Sequence, residues 1–288
     1  MIEKMGGFIV DEHGSVVDLG SDSTLYIPST VEHFCYDCLK FHKHIDSIIV
    51  DEGNTNLFVE NNCLMHRVQA DGISESAHKD GNWIKLIIGG KNSIIPKMNH
   101  ASHYIIGSFA FNEVDIKKVE LPQNINEIGM CAFADSSLEE IYLNDELDEI
   151  GHMAFRYTNL KSIVIPKSTR YIGFGTFAGC NMLESIIVKD GNDEYYSENN
   201  CLVEKVNKNL IACVKNATIP RGVEIIEVFT FYGMDTNSVI YIPDSVKKIG
   251  KSYFNLPSYV EYPVTFKAHK GSYAIKFAKA NGIKYIEI

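Results

Sequence analysis

LPQNINEIGMCAFADSSLEEIY (121–142), LNDELDEIGHMAFRYTNLKSIV (143–164) and IPKSTRYIGFGTFAGCNMLESII (165–187) are three versions of one phrase, set end to end. Glycines fall at Gly107, Gly129, Gly151 and Gly173, so 129−107, 151−129 and 173−151 are each 22. A fixed period in this range marks stacked units, none of which can bury its apolar face alone. The period therefore predicts a solenoid, an architecture that offers extended surfaces more readily than catalytic clefts.

Within the phrase, Leu138-x-x-Ile141-x-Leu143 and Leu160-x-x-Ile163-x-Ile165 follow the L-x-x-L-x-L pattern of leucine-rich repeats. The last two apolar positions alternate about one exposed residue, which is the signature of a half-buried strand. Stacked repeats set such strands side by side at roughly 4.8 Å. Pro122, Pro166, Pro220 and Pro243 follow the strand and end it, because proline has no amide to donate to a ladder. The Ile-Gly pair is expected to permit a tight bend. Ala-Phe then sends a small and a large residue inward, so that Phe111, Phe133, Phe155, Phe177, Phe231 and Phe254 are expected to stack as a buried spine.

Above this period lies a larger duplication. Leu25-Tyr26-Ile27-Pro28 matches Ile163-Val164-Ile165-Pro166 at 165−27 = 138, and Glu60-Asn61-Asn62-Cys63-Leu64 recurs at the same offset as Glu198-Asn199-Asn200-Cys201-Leu202. Each copy carries an excursion with apolar runs around an Asn-rich turn, expected as a β-hairpin projecting from the solenoid. The first is longer, with a polar, small-residue stretch at Gln69–His78 that reads as an exposed loop. The chain is thus read as one domain over 1–288. Residues 1–21 form an N-terminal cap with a hairpin, 22–50 a first repeat, and 51–94 a hairpin insertion. Regular repeats at 95–188 are followed by a second hairpin insertion at 189–218, further repeats at 219–264 and a C-terminal cap at 265–288. The last strand is expected at Tyr259–Val264, since 264−242 is again 22. A closing helix is expected with Ser272 as N-cap, Asn281-Gly282 as its left-handed stop, and Tyr273, Ala274, Phe277 and Ala278 as its apolar stripe.

The phrase I-P-x-S-V-x-x-I-G-x-x-A-F-x-x-C, approached at Ile242–Phe254 and Ile165–Cys180, resembles the BspA-type leucine-rich repeat. So do the hairpin phrase and the closing S-Y-A-x-x-F-A-K-x-N-G segment, and the likeness runs over residues 22–288. The chain departs at Cys35, Ser136, Glu227 and Asn237, which fill Gly, Cys, Gly and Leu slots. The resemblance implies a mainly β repeat solenoid with short helical turns, wound as a right-handed α/β-type superhelix. It also implies the two β-hairpin insertions and the C-terminal cap helix. The family is associated with bacterial surface proteins and adhesion, is common in gut bacteria and some protozoa, and its members are often secreted or cell-surface proteins. The resemblance implies binding without naming a ligand.

Composition narrows the partners. A net charge of −10 argues against nucleic acid and against an anionic membrane surface, both of which call for a basic face. No apolar run approaches the roughly 20 residues that span a bilayer, so no membrane insertion is expected. The opening MIEKMGGFIVDEHGSVV has no apolar core of the kind a signal peptide requires, so the chain reads as cytoplasmic. Seven cysteines, an odd number, read as free buried thiols rather than a disulfide framework.

The sharpest chemical candidate is the stretch from His33 to His44, with Cys35, Cys38 and His42 between them. Its C-x2-C followed by two histidines looks superficially like a zinc cluster. The repeat register offers a plainer reading, because Cys38 fills the Ala slot and Cys35 the Gly slot; the plainer reading is preferred and the metal reading stays open. Cys63, Cys201 and Cys180 sit in recurring slots and read as small core residues. There is no G-x-x-x-x-G-K-[ST], H-E-x-x-H or G-x-S-x-G. No enzyme, no cofactor and no resident metal are expected.

The residue just before each strand's last core position stacks into one column: Tyr26, Ile49, Ile94, Glu120, Tyr142, Val164, Ile187, Thr218, Tyr241 and Pro263. The column is largely apolar and aromatic although periodicity exposes it, and such a stripe commonly marks an interaction surface. Tyr26, Ile49, Glu120, Tyr142, Val164, Ile187 and Tyr241 are the candidate residues, for a protein or glycan partner or for a second copy stacking on the face or ends. Two other readings stay open: strands simply favour such residues, or a hairpin folds over the stripe.

Overall fold

The computed structural model describes residues 3–5, 8–10, 15–34, 38–40, 42–68, 82–235, 237–250 and 264–288. The chain winds as a β-solenoid of about 11 turns with one short α-helix among the described residues, its repeats spaced about 22 residues apart. Each regular turn supplies two strands rather than one. The first is the expected strand of the L-x-x-L-x-L pattern, at Lys118–Glu120, Glu140–Tyr142, Ser162–Ile165 and Ser185–Val188. The second lies just before the Ile-Gly pair, at Ile125–Ile128, Glu149–Ile150 and Tyr171–Ile172.

The second strands build the longer sheet. Seven strands run in the order Tyr171–Ile172, Glu149–Ile150, Ile125–Ile128, His103–Ile106, Trp83–Gly89, Cys63–Val68, Leu57–Glu60. Ile128, Ile150 and Ile172 are in register across it, and all three are buried. Glu149–Ile150 and Tyr171–Ile172 are two residues each, too few to show a period in the sequence.

The glycines that follow serve close approach rather than bending. None of Gly107, Gly129, Gly151 and Gly173 is left-handed. A Cβ on Gly151 would lie 2.7 Å from the Gly129 carbonyl carbon, so the turns touch backbone to backbone there. The left-handed residues come two and six positions later, at Phe109, Cys131, Met153 and Gly175 and again at Glu113, Asp135, Tyr157 and Gly179. They form the bend, and amides along it bond to the next turn: Phe111 N–H to Ala132 O at 2.7 Å, Phe133 N–H to Ala154 O at 2.9 Å.

Beneath this ladder Phe111, Phe133, Phe155 and Phe177 stack with centroid spacings of 5.1, 5.8 and 5.9 Å and interplanar angles of 1°, 17° and 14°. Phe231 is buried, but its ring meets Phe266 edge-on at 5.9 Å, and Phe254 lies outside the described residues. Asparagines tie each turn's post-proline bend to the following turn. Asn144 donates to Pro122 O and Ile125 O at 2.6 and 2.9 Å and accepts from Glu146 N–H at 2.8 Å. Asn192 repeats the arrangement on Pro166 O and Thr169 O.

Both hairpin insertions are present, but they lie in the sheet instead of standing away from it. Leu57–Glu60 and Cys63–Val68 pair antiparallel, and Trp83–Gly89 continues as a parallel neighbour of His103–Ile106. The second copy repeats this through Tyr195–Glu198, Cys201–Glu204 and Asn209–Cys213, the last pairing parallel with Ile225–Ile226. The phenol of Tyr195 accepts the Ile172 N–H at 2.9 Å and so bridges the two sheets. Gln69–His78 and most of Tyr259–Val264 fall outside the described residues.

Thr265–Ala268 pairs directly with Val239–Tyr241 and in turn with Tyr285–Glu287. Phe266 and Ala268 point inward, which places Lys267 beside Tyr241; Pro263 lies outside the described residues. The closing helix Tyr273–Asn281 is capped as expected, with the Ser272 side chain accepting from Ile275 N–H and Gly282 left-handed at φ 68°. Ile275 is buried along with Ala274, Phe277 and Ala278, whereas Tyr273 is exposed.

Phe155 is fully buried between two rings, so Phe155→Ala should cost about 3–5 kcal/mol. Urea unfolding followed by circular dichroism measures it. Tyr142→Ala on the exposed face should stay within about 0.5 kcal/mol. A Phe155 variant as stable as the parent would show that the ring stack is incidental.

Candidate interaction surface

The first strands carry the candidate residues on their outer side. Tyr26, Ile49, Tyr142, Val164, Ile187 and Tyr241 are between 38 % and 55 % exposed, and Glu120 is exposed as well. The cause is strand alternation: in Ser162–Ile165, Ile163 and Ile165 point into the core and leave Val164 outside. Register joins the candidates in pairs, Tyr26 with Ile49, Glu120 with Tyr142, and Val164 with Ile187, while Tyr241 pairs with Lys267.

The column is not one continuous ladder. Ile94 and Thr218 are exposed but lie outside strands, because the hairpin tips occupy their neighbourhood. Asn61-Asn62 and Asn199-Asn200 are all left-handed, the backbone a tight two-residue turn needs. The Asn62 side chain accepts the Ile48 N–H at 3.1 Å and donates to Asp46 O at 2.9 Å, and Asn61 O accepts the Ile94 N–H at 3.3 Å. In the second copy Asn199 O accepts the Thr218 N–H at 3.1 Å. The tips thus wedge into the strand face rather than cover it.

A second interruption is open. Glu140–Tyr142 and Ser162–Ile165 belong to different two-stranded sheets, and a groove lies between them, lined by Glu140, Tyr142, Lys161, Ser162, Val164 and Lys189. Its rim is charge-paired. Lys118 Nζ lies 3.1 Å from Glu140 Oε2 and 5.0 Å from the Tyr142 ring centroid, and the Tyr142 hydroxyl donates to Glu140 Oε2 at 3.3 Å. The bond to Lys118 holds the Glu140 carboxyl below the usual carboxylate range. Lys161 pairs with Glu139 at 3.1 Å, and Lys189 pairs with Asp145. Tyrosine, a branched aliphatic residue and flanking charges of both signs form a surface suited to binding, with no nucleophile–base set among these residues.

Comparison with known proteins agrees with this architecture. The family described as BspA type leucine rich repeat region matches residues 92–204 and 205–274, in 6 copies. The chain belongs to the BspA-type leucine-rich-repeat family. Among solved structures it is similar to a leucine rich cell surface protein from Faecalibacterium prausnitzii A2-165, at 16 % identity and TM-score 0.51, over 87 % of this chain and 73 % of that one. It is also similar to the pneumococcal vaccine antigen PcpA, at 20 % identity and TM-score 0.50, over 95 % of this chain. The match spans 56 % of that antigen's length, and at these identities both likenesses speak to the fold alone. Among curated proteins nothing matches. Leucine-rich-repeat solenoids of this kind are typically non-catalytic modules. Among the described residues no helix is long and apolar enough to cross a membrane.

The stretch from His33 to His44 is spread over different environments. His33 is exposed, 3.9 Å from Glu32 and edge-on to His66. His42 is fully buried, with Nδ1 2.8 Å from Leu39 O and Nε2 3.1 Å from Ala110 O. That geometry makes it a tie between the first repeat and the bend at 109–113, which no spacing in the sequence announced. Cys35 lies outside the described residues, and among those described no group of three or more His, Cys, Asp or Glu is placed to hold a metal ion.

A neutral imidazole can donate to only one of the two carbonyls facing His42. Burial nonetheless lowers its pKa, against the opposing pull of the bonds to Leu39 and Ala110. The unfolded chain therefore takes up this proton first as pH falls below about 6.5. The stability that His42 contributes is whole above that value and declines below it. Urea midpoints measured from about pH 7 to about pH 5 should fall less steeply for His42→Gln than for the parent. Parallel curves would refute a neutral, buried His42.

Proposed function

We propose that this chain is a non-catalytic binding module that holds a protein or glycan on its first-strand face, centred on the groove between Glu140–Tyr142 and Ser162–Ile165. The observation that carries the reading is the opening of the ladder at that point, which leaves Tyr142 and Val164 facing one gap between paired charges. Exposed aromatic and aliphatic groups inside a polar rim are what interface centres are made of. The similar solved structures bear the descriptions cell surface protein and vaccine antigen. In keeping with them, we place this module in adhesion at a bacterial surface.

The test is to present the folded chain to a glycan array and a panel of host surface proteins, and to repeat each capture with Tyr142→Asp and Val164→Asp. Both variants should lose at least tenfold in affinity, or about 1.4 kcal/mol, while their thermal midpoints stay with the parent's. Ligands bound equally well by both variants would place the binding site elsewhere.

A second reading, stacking of copies end to end, is favoured by the last strand. Among the described residues Tyr285–Glu287 pairs on one side only, with Thr265–Ala268, and Tyr285, Ile286 and Ile288 are exposed. Unpaired edges of this kind template further pairing. Sedimentation velocity over a hundredfold concentration range decides it, since a strict monomer throughout removes this reading.

A further inference from the structure

Cys201 and Cys213 face one another in the second hairpin. They are register partners on the antiparallel strands Cys201–Glu204 and Asn209–Cys213. Val214 N–H bonds to Asn200 O at 3.1 Å, and Cys213 N–H turns away to Thr230 O. The cysteines therefore form the non-hydrogen-bonded type of facing pair, the closer of the two, with Cα atoms about 4.5 Å apart. That separation lies within the range disulfides span. Their sulfurs are 2.9 Å apart.

The internal duplication provides a control. Cys63 stands where Cys201 does, 138 residues earlier, but its register partner is Gly89. A Cβ at Gly89 would fall 1.8 Å from Phe111 Cε1, so that copy has no room for a facing thiol. Cys63 and Cys201 each point a thiol at a backbone carbonyl, Ile94 O and Thr218 O, both at 3.7 Å. The residue at 201 is thus a shared feature of the hairpin, and Cys213 is the addition that makes a pair. Cys213 is buried, and it lies among the residues of a surface groove with Cys180, Lys215, Tyr232, Met234 and Asp235.

We propose that Cys201 and Cys213 are a modification site that closes to a cross-strand disulfide by exchange with a small-molecule disulfide. The Cys213 thiolate attacks one sulfur of the reagent and releases the first small thiol. The Cys201 thiolate then attacks the Cys213 sulfur and expels the second. Two S–H bonds are lost and one protein S–S bond is gained. The reagent's disulfide is reduced to two thiols, which take up both protons. Burial holds the Cys213 thiol well above the ordinary cysteine range, so the exchange quickens with rising pH. The bond would pin the hairpin one residue beyond the Asn199-Asn200 tip, at the rim of the strand face.

The test exposes the reduced full chain to oxidised glutathione at mildly alkaline pH, quenches with acid, alkylates in denaturant and maps peptides by mass spectrometry. A parallel sample is unfolded and refolded in the same reagent, so that access to the buried pair does not limit the outcome. The expected result is a 201–213 cross-link in both samples, with Cys63 still alkylated, and loss of that link with Cys201 alkylated in Cys213→Ser. Alkylation of both Cys201 and Cys213 in both samples would overturn the proposal. So would a glutathione adduct that persists on Cys213 beside a free Cys201.

Discussion

No turn of this chain can bury its own isoleucines, so each depends on the turn beside it. The contact that sets their spacing is backbone on backbone at the glycines, where Gly151 meets Gly129 closely enough that a Cβ would lie 2.7 Å from its carbonyl carbon. Around that contact the other features fall into line. The second strands pair, the bend amides reach the next turn's carbonyls, and four phenylalanine rings stack underneath. A solenoid built this way couples only neighbours, which is why an interruption can be accommodated without loss of the winding.

The interruptions shape the outer face. The first hairpin lies in the seven-stranded sheet and the second in a five-stranded one, and each turns at an Asn-Asn pair whose backbone reaches across to the strand face. The face is thereby divided into short paired segments. Between two of them, at Tyr142 and Val164, nothing in the described structure fills the gap, and the rim there is charged rather than apolar. The same hairpins fix the positions of Cys63 and Cys201, and only the second copy sets a cysteine, Cys213, opposite.

Much of this was legible in the sequence because it repeats. The 22-residue period, the Ile-Pro strand ends, the Ala-Phe core positions and the Ser272 and Gly282 helix caps each recur or follow a local rule. What escaped was either too short or too distant. The two-residue strands at Glu149–Ile150 and Tyr171–Ile172 have no period to detect. The tie from His42 to Ala110 spans 68 residues with no pattern connecting its ends. The strand beside Val239–Tyr241 is Thr265–Ala268, with Phe266 and Ala268 packed inward, while most of the strand expected at Tyr259–Val264 lies outside the described residues. Exposure of the candidate column followed from alternation alone, but its division into pairs depended on where the Asn-Asn tips wedge in.

On the proposed function the first-strand face, and not the opposite bend, meets the partner. Hydrogen exchange of the chain with and without a captured ligand tests it most directly, because amides in Glu140–Tyr142 and Ser162–Ile165 report on one side and those around Met153, Tyr157 and Gly175 on the other. Ligand-dependent slowing is expected in the two strands and none at the bend. Slowing confined to the bend residues would contradict it.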